Sequence, residues 1–249
     1  MSIERLQAAI REKKTPLALG LRPELERVPE KIRKNFEEMF GPGSMADAES
    51  IRFFSMQALA QAEGKLSAVM IHAESYLCYG MMGGDVLWNV ISAAKSKGLY
   101  TILDIGTARP DLWWACGADA VTVDPYMGGD VCAVPEDKAA FALIRTGNPS
   151  AAEMQTLRAG DRPLFAAAAE QMARRGAGLV IGTGLSLDIQ EIRRRNDKAF
   201  LLLTGCDGAN AECAFDSYGH GAMVVDESLA YGDTVDGAVK EMKKWVSVL

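Results

Sequence analysis

Tyr100-Thr101-Ile102-Leu103-Asp104-Ile105-Gly106-Thr107-Ala108-Arg109 is a short apolar run that stops in a cluster of small and polar residues. Such a run, closed by Asp, Gly and Thr, is the pattern of a strand leaving a sheet. The pattern occurs eight times. Besides Tyr100–Ile105, the runs are Leu17–Leu21, Ala68–Ile71, Ala120–Val123, Ala140–Arg145, Leu179–Ile181, Phe200–Leu203 and Ala222–Val225. They are nearly continuous in hydrophobicity rather than alternating, which implies strands buried on both faces. Helix-length stretches with apolar residues at three- and four-residue steps lie between many of them. The clearest are Ala46–Ala62, Val86–Lys97, Leu164–Arg175, Leu187–Arg195 and Thr234–Val248, with Gly98 as the stop signal of the second.

Strands alternating with helices predict a parallel sheet covered by helices, and a count of eight predicts a closed α/β barrel, the (β/α)8 or TIM barrel, as one domain over residues 1–249. Nothing of the form G-x-G-x-x-G follows the first strand, which weakens an open dinucleotide-binding sheet. Two units are short. Pro110–Gly117 leaves room for about two helical turns, and residues 124–139, with Pro125, Gly128, Gly129 and Pro135, predict a loop or a single turn.

Composition narrows the function classes. With 249 residues, 49% hydrophobic and 24% charged, the chain is an ordinary globular protein, large enough to fold without staples. Its net charge of −6 comes from interspersed signs without a basic block, which argues against a nucleic-acid partner. Cys78, Cys116, Cys132, Cys206 and Cys213 are odd in number and have no C-x-x-C spacing, so reduced thiols in a cytoplasmic core are expected. The first residues are charged (Glu4, Arg5, Arg11, Glu12), unlike a signal peptide, and no apolar run approaches the ~18 residues of a membrane span.

Several motifs carry a resemblance. Ala118-Asp119-Ala120-Val121-Thr122-Val123-Asp124-Pro125-Tyr126-Met127-Gly128 is similar, almost letter for letter, to the A-D-A-x-T-V-N-P-Y-x-G of orotidine 5′-monophosphate decarboxylases, specifically the longer bacterial subgroup. Arg145-Thr146-Gly147-Asn148-Pro149 resembles that family's K/R-T-S-N-P, and Glu153-Met154-Gln155 its Glu-x-Gln. Gly20-Leu21-Arg22-Pro23 stands where the family has G-L-D-P, and Val180-Ile181-Gly182 where it has V-V-G-A. The similarity runs from about Ser2 to the final helix. It implies a barrel dimer that removes carbon dioxide from orotidine monophosphate to give UMP, with no cofactor and no metal.

Carried over residue by residue, the resemblance places the family's Lys–Asp–Lys–Asp array on altered positions. Asp104 matches the first aspartate. Met70 aligns with the lysine of the second strand, Gly106 with the second lysine, and Arg109 with the aspartate that serves the neighbouring subunit. Without an ammonium at position 106, no proton donor of suitable acidity is expected, and Thr107 cannot replace one. The phosphate site is altered too. The seventh-strand turn reads Thr204-Gly205-Cys206-Asp207-Gly208-Ala209-Asn210, where Asn210 replaces a glutamine only if the loop carries one extra residue. The eighth strand ends Val225-Asp226-Glu227-Ser228, where the family has N-S-S-R. Two carboxylates facing a dianion cost ~1 kcal/mol per charge pair at 4 Å even in water. Arg22 replaces the aspartate that meets the ribose, so an ion pair of Arg22 with Asp226 or Glu227 across neighbouring strands is expected, with solvated rim residues as the plainer alternative.

Other residues admit a bland reading beside a sharp one. Asp104 either keeps a catalytic role or only accepts backbone N–H bonds. His72 is a general base or a satisfied rim residue. Glu74, Asp104, Asp124, Asp207 and Asp226 have no evident His ligand beside them, and no metal site is expected. Trp113-Trp114 places one ring on the barrel and the other on a partner, or buries both locally. Met81-Met82-Gly83-Gly84 reads as a flexible loop opening the second helix. The resulting expectation is a non-catalytic paralogue acting through a homodimer or a heterodimer with an active decarboxylase. The alternatives are a working decarboxylase, or an enzyme for a non-phosphorylated small molecule held by Arg22, Arg145 and Asp124. Arg22, Asp124, Arg145, Thr146, Gly205, Asn210, Asp226 and Glu227 are the candidate ligand-binding residues. No nucleic acid and no membrane are expected as partners, and the location expected is the cytoplasm.

Overall fold

A computed structural model describes residues 2–182, 185–205, 208–216, 218–232 and 234–248, with the side chains of 208 and 209 left aside. Eight parallel strands close into a barrel: β1 Leu17–Leu21, β2 Ala68–His72, β3 Tyr100–Thr107, β4 Ala120–Val123, β5 Ala139–Arg145, β6 Gly178–Gly182, β7 Leu201–Thr204 and β8 Ala222–Asp226. Each pairs in parallel with its sequence neighbours, and β1 pairs with β8 through Leu17↔Val224 and Leu19↔Asp226. All eight strand expectations hold, with ends shifted by one or two residues. Strand β2 runs one residue further, to His72, and β3 two further, to Thr107.

The outer layer comprises α1 Ser2–Lys13, α2 Glu30–Phe40, α3 Ser44–Ala62, α4 Glu74–Leu77, α5 Gly80–Ser96, α6 Ala151–Gln155, α7 Leu164–Ala173, α8 Ser186–Arg195, α9 Gly208–Ala211 and α10 Val235–Met242. The third and fourth units are short, as their lengths dictate: only 3-10 turns at Pro110–Leu112, Trp114–Cys116, Pro125–Met127 and Gly129–Cys132 stand there. Gly98 has φ +73 just after α5, as a helix stop requires. The stretch Met81–Gly84 is not a loop but the first turns of α5. Gly83 is what allows this, because a Cβ there would sit 1.8 Å from the Tyr76 carbonyl oxygen of α4.

Two cores follow from the closed sheet. Alternate side chains of every strand point into the barrel, and Ala18, Met70, Ile102, Phe141, Val180, Leu202, Met223 and Val225 belong to this inner cluster. Leu6 and Ile10 of α1 close its amino-terminal end. Ser2 and Tyr100 share a 2.6 Å hydrogen bond there, and Arg5 pairs with Asp119 at 2.6 Å. The other strand faces pack outward on the helices, for example Leu19, Ile71, Leu103, Val121 and Leu203 against Ile51, Leu87 and Phe165. Among the described residues, no helix is long and apolar enough to cross a membrane.

Candidate functional site

Continuing the inward alternation to the carboxyl ends of the strands gives a top layer of Gly20, His72, Asp104, Thr122, Leu143, Gly182, Thr204 and Glu227. None of these is a lysine. Met70 lies one layer down in the core, 1% exposed, so the residue of β2 that faces Asp104 is His72, not the Met70 that the motif alignment selects. Register explains this: His72 pairs with Asp104, whereas Met70 pairs with Ile102.

Three strands build the polar centre of that layer. His72 Nδ1 lies 2.7 Å from Asp104 Oδ2. Thr122, fully buried on β4, donates to Asp104 Oδ1 at 2.7 Å. The same Thr122 oxygen accepts the N–H groups of Ile105 and Gly106, at 2.9 and 2.8 Å. Those two N–H groups need a partner because the β3–β4 ladder slips between Leu103 and Thr107. Burial pushes the Asp104 carboxyl up. The hydrogen bond and charge of His72, the Thr122 hydroxyl and the charge of Arg22 outweigh burial and hold it below the usual aspartate value. Asp104 is therefore an ionised acceptor between two donors.

On the other side of His72, Glu227 Oε1 lies 3.4 Å from Nε2. That approach lacks hydrogen-bond geometry, and Nε2 is a buried nitrogen without a hydrogen-bond partner. Glu227 follows β8, so its side chain must cross β1 to reach β2. Gly20 makes the crossing: a Cβ there would meet Glu227 Cγ at 2.7 Å. Gly106, at φ +54, is the mirror case, since a Cβ would point at Leu143 Cδ1 from 3.2 Å. Position 106 does face the mouth, and no side chain fills it.

The remaining candidates divide. Arg22 does not pair with Asp226 or Glu227; its Nη2 lies 3.0 Å from Glu74 Oε1, with both side chains well exposed. Asp226 is already committed, accepting the backbone N–H and hydroxyl of Ser228 at 2.9 and 2.6 Å. Asp124 caps the 3-10 turn after β4 through the Tyr126 N–H at 2.9 Å. Arg145 points away from the mouth into the helical layer, donating to Asp188 at 2.8 Å and to Gln155 at 3.0 Å. Gln155 also accepts the Thr146 N–H and donates to its hydroxyl, so the Arg-Thr-Gly-Asn segment and its downstream glutamine form one loop-building network. Arg109 is exposed and closes a two-bond pair on Asp111. Gly205 has φ +62 after β7, and Asn210 is half-buried in α9. Cys206 and Asp207 lie outside the described residues. Trp113 and Trp114 are both half-buried and packed on the outer core, and the neighbouring Leu112 is exposed.

Among the described residues, no group of three or more His, Cys, Asp or Glu side chains is placed to hold a metal ion. Chemically the mouth offers one imidazole between two carboxylates, with one guanidinium nearby. The His72–Asp104 contact is the feature the motif reading missed. Its signal is the polar His72 at the end of an apolar run, one residue beyond the strand boundary drawn from hydropathy.

No family model matches the chain. Among curated proteins, the orotidine 5′-phosphate decarboxylase of Halobacterium salinarum is 30% identical over 230 residues, which is 85% of this chain and 81% of the relative. That of Roseiflexus is 28% identical over 242 residues, 91% of this chain and 84% of the relative. The Leishmania donovani OMP decarboxylase structure superposes with a TM-score of 0.77 at 25% identity, over 97% of this chain and 96% of that one. A Plasmodium berghei orotidine 5′-monophosphate decarboxylase shares the fold, with a TM-score of 0.82 at 16% identity, over 98% of this chain and 96% of that one. A shared barrel, end-to-end coverage and sequence identity of this extent have one explanation: the chain belongs to the orotidine 5′-phosphate decarboxylase family.

Proposed function

We propose that this chain is a member of the decarboxylase family, related to pyrimidine biosynthesis, that no longer decarboxylates orotidine monophosphate and acts through a homodimer or a heterodimer with an active decarboxylase. The observation that carries the proposal is the top layer itself. The family's chemistry needs ammonium groups alternating with carboxylates, and the positions from β2 and β3 hold His72, Asp104 and an empty Gly106. A 5′-phosphate dianion approaching β8 meets Asp226 and Glu227, and the Arg22 that could offset them is on Glu74. Exposed Leu77, Met81, Leu112, Tyr126 and Met127, on the segments after β2, β3 and β4, give the association surface.

Purified protein is assayed for UMP formation at micromolar enzyme, alone and mixed with an active decarboxylase. No turnover alone, with co-elution in the mixture or as a dimer of this chain, is the expected result. Turnover abolished by Asp104→Ala overturns it. A second reading, a mouth serving a non-phosphorylated substrate, is favoured by the unpartnered His72 Nε2.

A further inference from the structure

His72 is one of the chain's two histidines, the other being His220, and it is set in a frame that a satisfied core histidine does not need. Its side chain is 8% exposed, Nδ1 is engaged by Asp104, and Nε2 has no hydrogen-bond partner. We propose that the mouth is a proton-transfer site for a small monocarboxylate bearing an acidic C–H, with His72 as the base and Arg22 as the carboxylate anchor. This deepens the second reading above and rests on the mouth refusing a phosphate dianion.

The geometry assigns each part. In the neutral imidazole the Nδ1 hydrogen goes to Asp104, which leaves Nε2 as the basic position. Thr122 holds the other Asp104 oxygen, so the carboxylate cannot turn away. Asp104 is thus a positioning residue. Glu227 covers Nε2 from 3.4 Å without hydrogen-bond geometry and is a third exposed, so a ligand displaces it at little cost. Asp104 stays on Nδ1 throughout and stabilises the imidazolium that forms. Register places the anchor: Gly20 pairs with Met70 and Leu21 with Ile71, so Arg22 follows beside His72. Its ion pair with Glu74 is exposed on both sides and worth at most about 1 kcal/mol, so a ligand carboxylate replaces that of Glu74. One guanidinium balances one negative charge. Glu74, Asp104 and Glu227 on the same rim repel a second.

The step is balanced without a co-reactant. Nε2 takes the proton from carbon next to a carbonyl, the C–H electron pair moves to the carbonyl oxygen as an enolate, and the imidazolium returns a proton to that carbon. In deuterated water, exchange of the Nε2 proton with solvent before its return places deuterium on that carbon.

The test uses the full chain, with pyruvate as the probe. Histidine labelled with 15N gives signals from His72 and His220 alone. Pyruvate should move the His72 Nε2 signal saturably and leave His220 still, inorganic phosphate should not, and Arg22→Gln should abolish the shift. Proton NMR should show deuterium entering the pyruvate methyl group faster than in buffer, at least tenfold slower in His72→Gln, with a pH profile displaced in Asp104→Asn and unchanged in His220→Gln. Arg22 is a surface residue, so its variant keeps the test open should His72→Gln fold poorly. An unmoved His72 signal at excess pyruvate, or equal exchange in His72→Gln and wild type, overturns the inference. UMP formation overturns the preceding proposal whatever pyruvate does, so the two failures are distinguishable.

Discussion

Thr122 shows how much of the mouth hangs on a single hydroxyl. It accepts two N–H groups from the slipped end of β3 and donates to Asp104, all while fully buried. Thr122→Val keeps the shape and strands those partners, each unsatisfied buried group costing about 1–3 kcal/mol. A loss of roughly 2 kcal/mol or more is expected, read as a fall of about 4–8 °C in melting temperature, with Thr122→Ser recovering most of it. Asp104 itself makes stability depend on pH. Its folded value is depressed, so its contribution is present above the unfolded aspartate value of about 3.9 and is lost as pH falls through the lower folded value. Urea titrations should therefore show wild type losing more stability than Asp104→Asn between pH 6 and pH 3. Equal losses would mean that the carboxylate is not held by His72 and Thr122. At this scale the sequence was hard to read. Asp104 was visible because a motif marks it, whereas His72 and Thr122 matter through register, and register across β2, β3 and β4 emerges only when the barrel closes.

At the scale of elements, hydropathy alone located all eight strands, because each is buried on both faces and so reads as an uninterrupted apolar run. The helices were less legible. Helix α2 buries only Phe36 and leaves Met39 and Phe40 exposed, so its apolar stripe is too sparse to stand out among Glu30, Lys31, Arg33 and Lys34. The start of α5 reads as a loop in the sequence because two glycines stand there. In the fold, Gly83 serves the close crossing of α4 over α5, whereas Gly84 meets nothing within 4 Å. The two positions predict opposite outcomes in one helix. Gly→Ala in a helix interior normally stabilises by up to about 1 kcal/mol, so Gly84→Ala should raise the melting temperature slightly. Gly83→Ala forces a methyl group into the Tyr76 carbonyl, and overpacking of that kind costs about 1–3 kcal/mol. Circular dichroism melts of the two variants compare them directly. A Gly83→Ala protein as stable as wild type would show that α4 does not cross α5 this closely.

For the whole molecule, barrel closure depends on the last strands finding the first, and one side chain ties three late segments together. Arg193 of α8 donates to the carbonyls of Ala214 at 2.8 and 2.6 Å, Gly221 at 3.0 Å, Ala199 at 2.7 Å and Asp197 at 3.0 Å. Those carbonyls lie just ahead of β7 and β8, so the guanidinium helps hold both strands beside the seam where β8 pairs with β1. Burial lowers its proton affinity, with Asp216 and Asp197 as the nearby charges opposing that fall. The charge stays, since an arginine remains protonated in proteins. Hydrogen bonds from a charged donor are worth about 1.5–3 kcal/mol each, though bonds sharing one side chain do not add in full. Arg193→Met should therefore cost at least about 3 kcal/mol, a large part of the 5–15 kcal/mol typical of a folded domain. Arg193→Lys should restore less than half, because an ammonium on a flexible stem cannot span carbonyls that a planar fork reaches from one place. Urea unfolding of the three proteins decides the point. If lysine serves as well as arginine, charge rather than fork geometry seats β7 and β8, and the closing seam of the barrel is looser than these contacts require.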